Sequence, residues 1–147
     1  MRCTKPLAHQ GTLISDIELR FSGGEVIDMR ARSGEAVLRK LLDTVAGARR
    51  LGEIALVPDC SPISSTGLLF YNTLLDENAA SHMALGHAYT KCIRNADRMS
   101  PEELAATGVN RSMLHIDLMI GSRHVDVDGI SGDGACEPVM RQGEWAL

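Results

Sequence analysis

The chain has little aromatic surface, with two Phe, two Tyr and one Trp among 147 residues. A base-stacking platform for single-stranded nucleic acid needs more than that. A formal net charge of −4 also removes any general attraction to phosphate, so no nucleic-acid partner is expected. No hydrophobic run approaches the roughly 20 apolar residues of a membrane-spanning helix, and no membrane partner is expected either. The opening "MRCTKPLAHQG" has no apolar signal core. The cysteines Cys3, Cys60, Cys92 and Cys136 are widely spaced and form no C-x-x-C pair, which argues against a zinc ribbon or a disulfide framework. Reduced thiols in a cytoplasmic protein are the expectation.

With so few aromatics, the core must be built from Leu, Ile, Val, Ala and Met, and the length suits one domain able to bury a core without staples. "GTLISDIELRFSGGEVIDMRAR" reads as one hairpin: Leu13, Ser15, Ile17 and Leu19 lead to the turn "SGG", and "EVIDMRA" returns. "SGEAVLRKLLDTVAGARRLG" reads as an amphipathic helix with Ser33 as N-cap and Val37, Leu38, Leu41, Leu42 and Val45 at helical spacing. "EIALVP" is a short strand, and Gly67 to about Cys92 is helical at least in part. "SMLHIDLMIGS" is the clearest strand, followed by two short strands in "HVDVDGI" and "EPVMRQGEWAL". Strands with one polar and one apolar face, interrupted by helices, define the expected fold class: α+β, a single domain with a largely antiparallel or mixed sheet and packed helices.

Two places concentrate polar chemistry. Period-two geometry puts His115 and Asp117 on one side of their strand and Leu114, Ile116, Leu118 and Ile120 on the other. An imidazole and a carboxylate side by side are a natural pair of metal ligands; a His–Asp hydrogen bond on a solvated face is the plainer alternative. The second place is "DENAASHMALGHAY", Asp76 to Tyr89. On a helix, His82 and Tyr89 would share a face about 10.5 Å apart, too far for one ion with ligand bonds of about 2 Å. Either the helix breaks at Gly86, or the two residues serve different ions, or one lies outside the ligand set. His87 is rotated away from His82 in that helix and reads as structural. Glu53, opening an apolar strand, carries no functional weight on its own.

The segments "GEIALVP", "SPIS", "FYNTLLDENAASHMALGHAY", "HIDLMIGS" and "VDGI", in that order, resemble the aminopeptidase T family of thermophilic-type metallo-aminopeptidases, which includes aminopeptidase S. The similarity runs from "TKPLAHQGTLI" to "GEWAL", nearly the whole chain. The resemblance implies that Glu53 occupies the family's metal-ligating glutamate and His82 the histidine of D-E-N-A-x-x-H. Tyr89 falls on the tyrosine of G-x-A-Y, and His115 and Asp117 on the H-x-D pair, so the metal ligands that the resemblance implies are Glu53, His82, Tyr89, His115 and Asp117. It further implies two divalent ions per site (zinc, cobalt or magnesium), a peptide substrate with a free N-terminus, and a homodimer. Glu53 and Tyr89 would then also act in catalysis, and Asp76, Glu77 and Asn78 would orient the histidines from behind.

The family pattern also includes a preceding α/β domain and an N-P-x-G-E-V-F segment with a further ligating glutamate, and no such motif occurs in this chain. The expectation is therefore that residues 1–147 form a C-terminal metal-site domain of an aminopeptidase T-like protein, with an incomplete ligand set. Three readings compete. The chain is the catalytic C-terminal part of a metallo-aminopeptidase, or a non-catalytic, dimerising remnant, or a mononuclear enzyme using His82, His115 and Asp117.

Overall fold

Glycine-containing two-residue turns set the first part of the fold. In the computed structural model, which describes residues 1–146, β1 (Leu7–His9) pairs antiparallel with β2 (Thr12–Ile14). Gln10 and Gly11 between them both have positive φ, 45° and 78°, the geometry that matches the right-handed twist of a hairpin. β3 (Glu18–Ser22) and β4 (Glu25–Arg30) repeat the arrangement around Gly23 and Gly24. The single hairpin expected from Leu13 onward is thus two. Asp16, at φ 51°, turns the chain between them, so Ile14 and Ile17 are buried while Leu13 is exposed.

Helix α1 (Glu35–Thr44) lies where its apolar period places it, with Leu38 and Leu42 in the core. Its N-cap is Gly34, at φ 73°, and not Ser33. The Ser33 hydroxyl donates to the Leu13 carbonyl instead, tying the helix start to β2.

The central sheet is assembled from distant segments. β5 (Leu51–Ala55), β6 (His82–Gly86) and β7 (His115–Met119) pair antiparallel in the order β5-β6-β7. The connection into β6 holds a short α2 (Thr73–Asp76) and one turn of 3-10 helix at Glu77–Ala79. Helix α3 (Pro101–Ala106), with a Ser100–Glu103 capping box, lies between β6 and β7. The segment expected to be helical at least in part, Gly67 to about Cys92, is so only in short turns: at Ala80 the backbone becomes extended (φ −168°, ψ 161°) and runs on as a strand. Ala, Met and Leu favour helix when judged locally, but β6 is the middle strand and covered on both faces. A doubly buried strand shows no clean alternation.

β8 (Val127–Ile130), β9 (Cys136–Arg141) and β10 (Glu144–Trp145) form a three-stranded antiparallel meander. Gln142 and Gly143, again at positive φ, divide what the sequence reads as one strand. The fold is α+β, and among the described residues every pairing of named strands is antiparallel, but the strands fall into four small sheets and not one. The core joins Leu7, Ile14, Ile17 and Leu38 to Leu85, Ile116 and Leu118. One face of the central sheet is thereby committed to packing, and its other face is left for polar groups.

Candidate metal centre

Register decides which side chains meet. Ala84 pairs with Glu53 on β5 and with Asp117 on β7, His82 pairs with Met119, and Gly86 pairs with His115. Strand alternation therefore brings Glu53, His82, His115 and Asp117 to the same face, opposite Leu85, Ile116 and Leu118. Ala84 has only a methyl group between the two acids, which leaves a space that the four longer side chains surround.

The resulting distances are short. His82 Nε2 lies 3.5 Å from Glu53 Oε1 and 3.9 Å from Asp117 Oδ1. His115 Nε2 lies 3.7 Å from Glu53 Oε2 and 3.3 Å from the same Asp117 oxygen. Each imidazole is held from behind: His82 Nδ1 is 3.1 Å from the Ala80 carbonyl and His115 Nδ1 is 2.7 Å from the His87 carbonyl. A carbonyl can only accept, so Nδ1 carries a proton, and in that tautomer of the neutral ring Nε2 turns its lone pair inward. Asp117 is buried, and its Oδ1 has no hydrogen-bond partner. In that tautomer lone pairs converge on the unpartnered Asp117 oxygen, an arrangement that suits a cation. Donor atoms of Glu53, His82 and Asp117 all lie within 4.8 Å of one another, close enough to share one ion.

Tyr89 sits at the margin of this group. Its ring centroid is 4.9 Å from that of His115, tilted 52°, and the side chain is half exposed. Because β6 ends at Gly86, the helical separation from His82 does not arise. His87 stacks edge-on against Tyr89 at 5.9 Å and serves the site through its backbone carbonyl.

The three residues expected to orient the histidines separate into different roles. Asp76 accepts from the Phe70 and Asn72 amides, at 2.7 and 3.0 Å, and pins that loop. Asn78 donates to the Leu74 carbonyl. Only Glu77 faces the site. Burial, and then the neighbouring Asp117 carboxylate, hold its carboxyl above the usual range. Glu77 is therefore a third acid in the cluster, which the sequence reading placed outside the ligand set. The "DEN" motif contains it, but nothing local distinguishes Glu77 from Asp76 until the turn at Glu77–Ala79 points one of them inward.

The strand carrying these groups ends in a clamp. Asn110 Nδ2 donates to both the Gly47 carbonyl (2.8 Å) and the Gly86 carbonyl (2.6 Å), and the Asn110 carbonyl accepts from Ala88 (2.9 Å). It thereby holds the segment that presents the His87 carbonyl to His115. Asn110→Ala is expected to cost about 2 kcal/mol, since two carbonyls lose their donor. It should also weaken metal binding by roughly tenfold through the loosened imidazole. Urea unfolding and a zinc titration check the two effects, and an unchanged zinc affinity would separate the clamp from the site.

Fold and site together define an α+β domain in which an acid-rich, two-histidine face lines one side of a three-stranded sheet. Residues 1–145 match the family described as thermophilic metalloprotease (M29), and the chain belongs to it. It is 52% identical over 147 residues to Aminopeptidase 2 of Geobacillus stearothermophilus, covering 100% of this chain and 36% of that protein. Aminopeptidase T of Thermus aquaticus is similar to the same extent, with 52% identity and the same coverage. Aminopeptidase AmpS of Bacillus subtilis is 48% identical over 144 residues, covering 98% of this chain and 35% of the relative. The structure of wild-type AmpT from Thermus thermophilus superposes with a TM-score of 0.90 at 50% identity, covering 100% of this chain and 36% of that one. The chain thus spans little more than a third of the length of the relatives it matches. The family resemblance carried by the motifs holds.

Proposed function

We propose that residues 1–147 are the metal-bearing, C-terminal-type domain of a cytoplasmic metallo-aminopeptidase that removes N-terminal residues from peptides. The observation that carries this reading is the unpartnered, buried Asp117 oxygen facing two imidazoles whose Nδ1 atoms are tied to carbonyls. The names of the relatives supply the reaction, and the four unpaired cysteines support a reducing compartment.

In this reading His82, His115, Glu53 and Asp117 would hold the metal. Glu77 adds a third acid beside Asp117 where the motifs alone point to two. Divalent ions bound there (zinc, cobalt or magnesium, two per site) would supply Lewis acidity toward the scissile carbonyl and acidify a water. Tyr89, at the open margin, would either bind metal as a phenolate or donate a hydrogen bond to a developing oxyanion. The remaining glutamate expected from N-P-x-G-E-V-F would come from outside these residues. Self-association as a homodimer belongs to the same reading, supported by the exposed run of Leu68, Phe70, Tyr71, Leu74 and Leu75.

A second reading is the mononuclear centre of His82, His115 and Asp117, favoured by the two imidazole nitrogens at 3.9 and 3.3 Å from the same Asp117 oxygen. Calorimetric titration with zinc and cobalt separates them by stoichiometry: two ions for the aminopeptidase site, one for the alternative. In both cases His115→Ala should weaken binding by at least about tenfold. With metal added, the chain alone is expected to hydrolyse a leucine anilide weakly or not at all. Brisk turnover that disappears in His115→Ala would show that no further glutamate is needed.

A further inference from the structure

Glycine interrupts β5 at the residue before its acid. Leu51 pairs with Leu85, and Glu53 pairs with Ala84, the adjacent residue of β6, so Gly52 is the extra residue of a β-bulge. Strict alternation would put Leu51 and Glu53 on one face. Leu85 is a fully buried core residue, whereas Ala84 stands between Glu53 and Asp117. Pairing continued from Leu51 without the bulge would set Gly52 opposite Ala84 and Glu53 opposite Met83, on the core side of the sheet. The extra residue turns Glu53 to the other face, where its oxygens lie 3.5 Å from His82 Nε2 and 3.7 Å from His115 Nε2.

The same glycine is crowded by backbone. A Cβ on Gly52 would lie 2.6 Å from the His87 carbonyl oxygen and 2.7 Å from that of Gly86. Unlike Gly86, Gly52 has no positive φ, so close approach and not torsion calls for glycine here. Both oxygens have partners to keep: the His87 carbonyl holds His115 Nδ1 at 2.7 Å, and the Gly86 carbonyl accepts from Asn110 Nδ2 at 2.6 Å.

We propose that Gly52 is a positioning residue of the metal centre. As the extra residue of the bulge it turns Glu53 to the metal face, and without a side chain it admits the His87 carbonyl that orients His115. The inference rests on the metal-site reading for what those two side chains hold. A methyl group at this position has two routes of relief. Displacing the carbonyls loosens His115, and sliding β5 outward carries Glu53 away from both imidazoles. Either route costs the centre a ligand, although Gly52 has no side chain of its own to contribute.

The test compares Gly52→Ala with Gly143→Ala in the 147-residue chain. Gly143→Ala brings a Cβ equally close to a carbonyl oxygen, 2.6 Å from that of Ser122, but at the β9–β10 turn, away from the metal-face side chains. With its positive φ added, the control should lose at least as much stability to urea. In calorimetric titrations Gly52→Ala should weaken zinc binding about 10- to 100-fold, and Gly143→Ala by less than about threefold. In metal-free protein the ring-nitrogen NMR signals of His115 should shift in Gly52→Ala alone. Deletion of Gly52 removes the clash while leaving Leu51 to pair with Leu85 and Glu53 with Ala84. The deletion variant should bind zinc more tightly than Gly52→Ala, and it decides the matter if Gly52→Ala does not fold. Unchanged affinity and ring signals in folded Gly52→Ala, or a deletion variant that folds and binds no better than Gly52→Ala, would overturn the role of Gly52 while leaving the metal centre intact. A parent chain that binds no zinc, with the His115 signals still shifted by Gly52→Ala, would keep that role and overturn the metal reading.

Discussion

Asp117→Asn should make the metal-free protein more stable, by about 1–2 kcal/mol, while weakening zinc binding by roughly 100-fold or more. The opposite signs follow from one arrangement. Asp117 Oδ1 is buried without a hydrogen-bond partner. Its neighbours are His115 Nε2 at 3.3 Å, His82 Nε2 at 3.9 Å, and the acids Glu53 and Glu77. With both Nδ1 protons committed to carbonyls, the neutral tautomers would turn lone pairs toward a negative oxygen. Burying an anion among acceptors is costly unless a cation is present. Asparagine has nearly the same shape, removes the charge, and offers N–H donors to those acceptors. The same change removes a ligand atom at the point where the other donors converge. Urea unfolding in a chelator measures the first effect, and a zinc titration the second. A variant that is less stable than the parent in chelator, or that binds zinc equally well, would refute the claim.

Gly86→Ala is expected to be the most damaging single methyl in the chain, costing about 3–5 kcal/mol. Gly86 has φ 97°, and a Cβ there would lie 2.1 Å from the Leu114 carbonyl oxygen. Gly86 closes the β6–β7 pairing opposite His115, and its own carbonyl is gripped by Asn110. Relief of the clash must move one of these, and either movement carries the His87 carbonyl away from His115. Gly108→Ala is the control. Its φ is 90°, nearly the same, but nothing lies within 4 Å of the added carbon. That variant should show the backbone penalty alone, about 1 kcal/mol. Comparing the two urea midpoints separates steric clash from left-handed strain, and similar losses would mean that the Leu114 contact is unimportant.

The sequence reading succeeds where local chemistry is sufficient. His115 and Asp117 are two apart in a segment whose other residues are aliphatic, so the strand and its polar face are both legible. The same holds for α1, whose Leu38 and Leu42 are buried as their spacing requires. It fails at His82, because a middle strand covered on both faces loses its period. It fails again at Leu13, where a left-handed Asp16 turns one hairpin into two. Ser33 is a plausible cap by type, but its hydroxyl finds the Leu13 carbonyl and Gly34 takes the position.

By itself, then, the sequence determined the family, the α+β class, and one shared strand face for His115 and Asp117. These depend on residue type and on spacings of a few positions, which need no knowledge of distant partners. Tertiary structure alone decided that Ala84 lies between Glu53 and Asp117, and that Glu77 turns inward where Asp76 binds its own loop. It also decided that the His87 carbonyl, and not its ring, serves the site. Each of these follows from the register and packing of strands that are far apart in the chain. A strand's alternation specifies its two faces, but it does not specify which other strand will lie beside it.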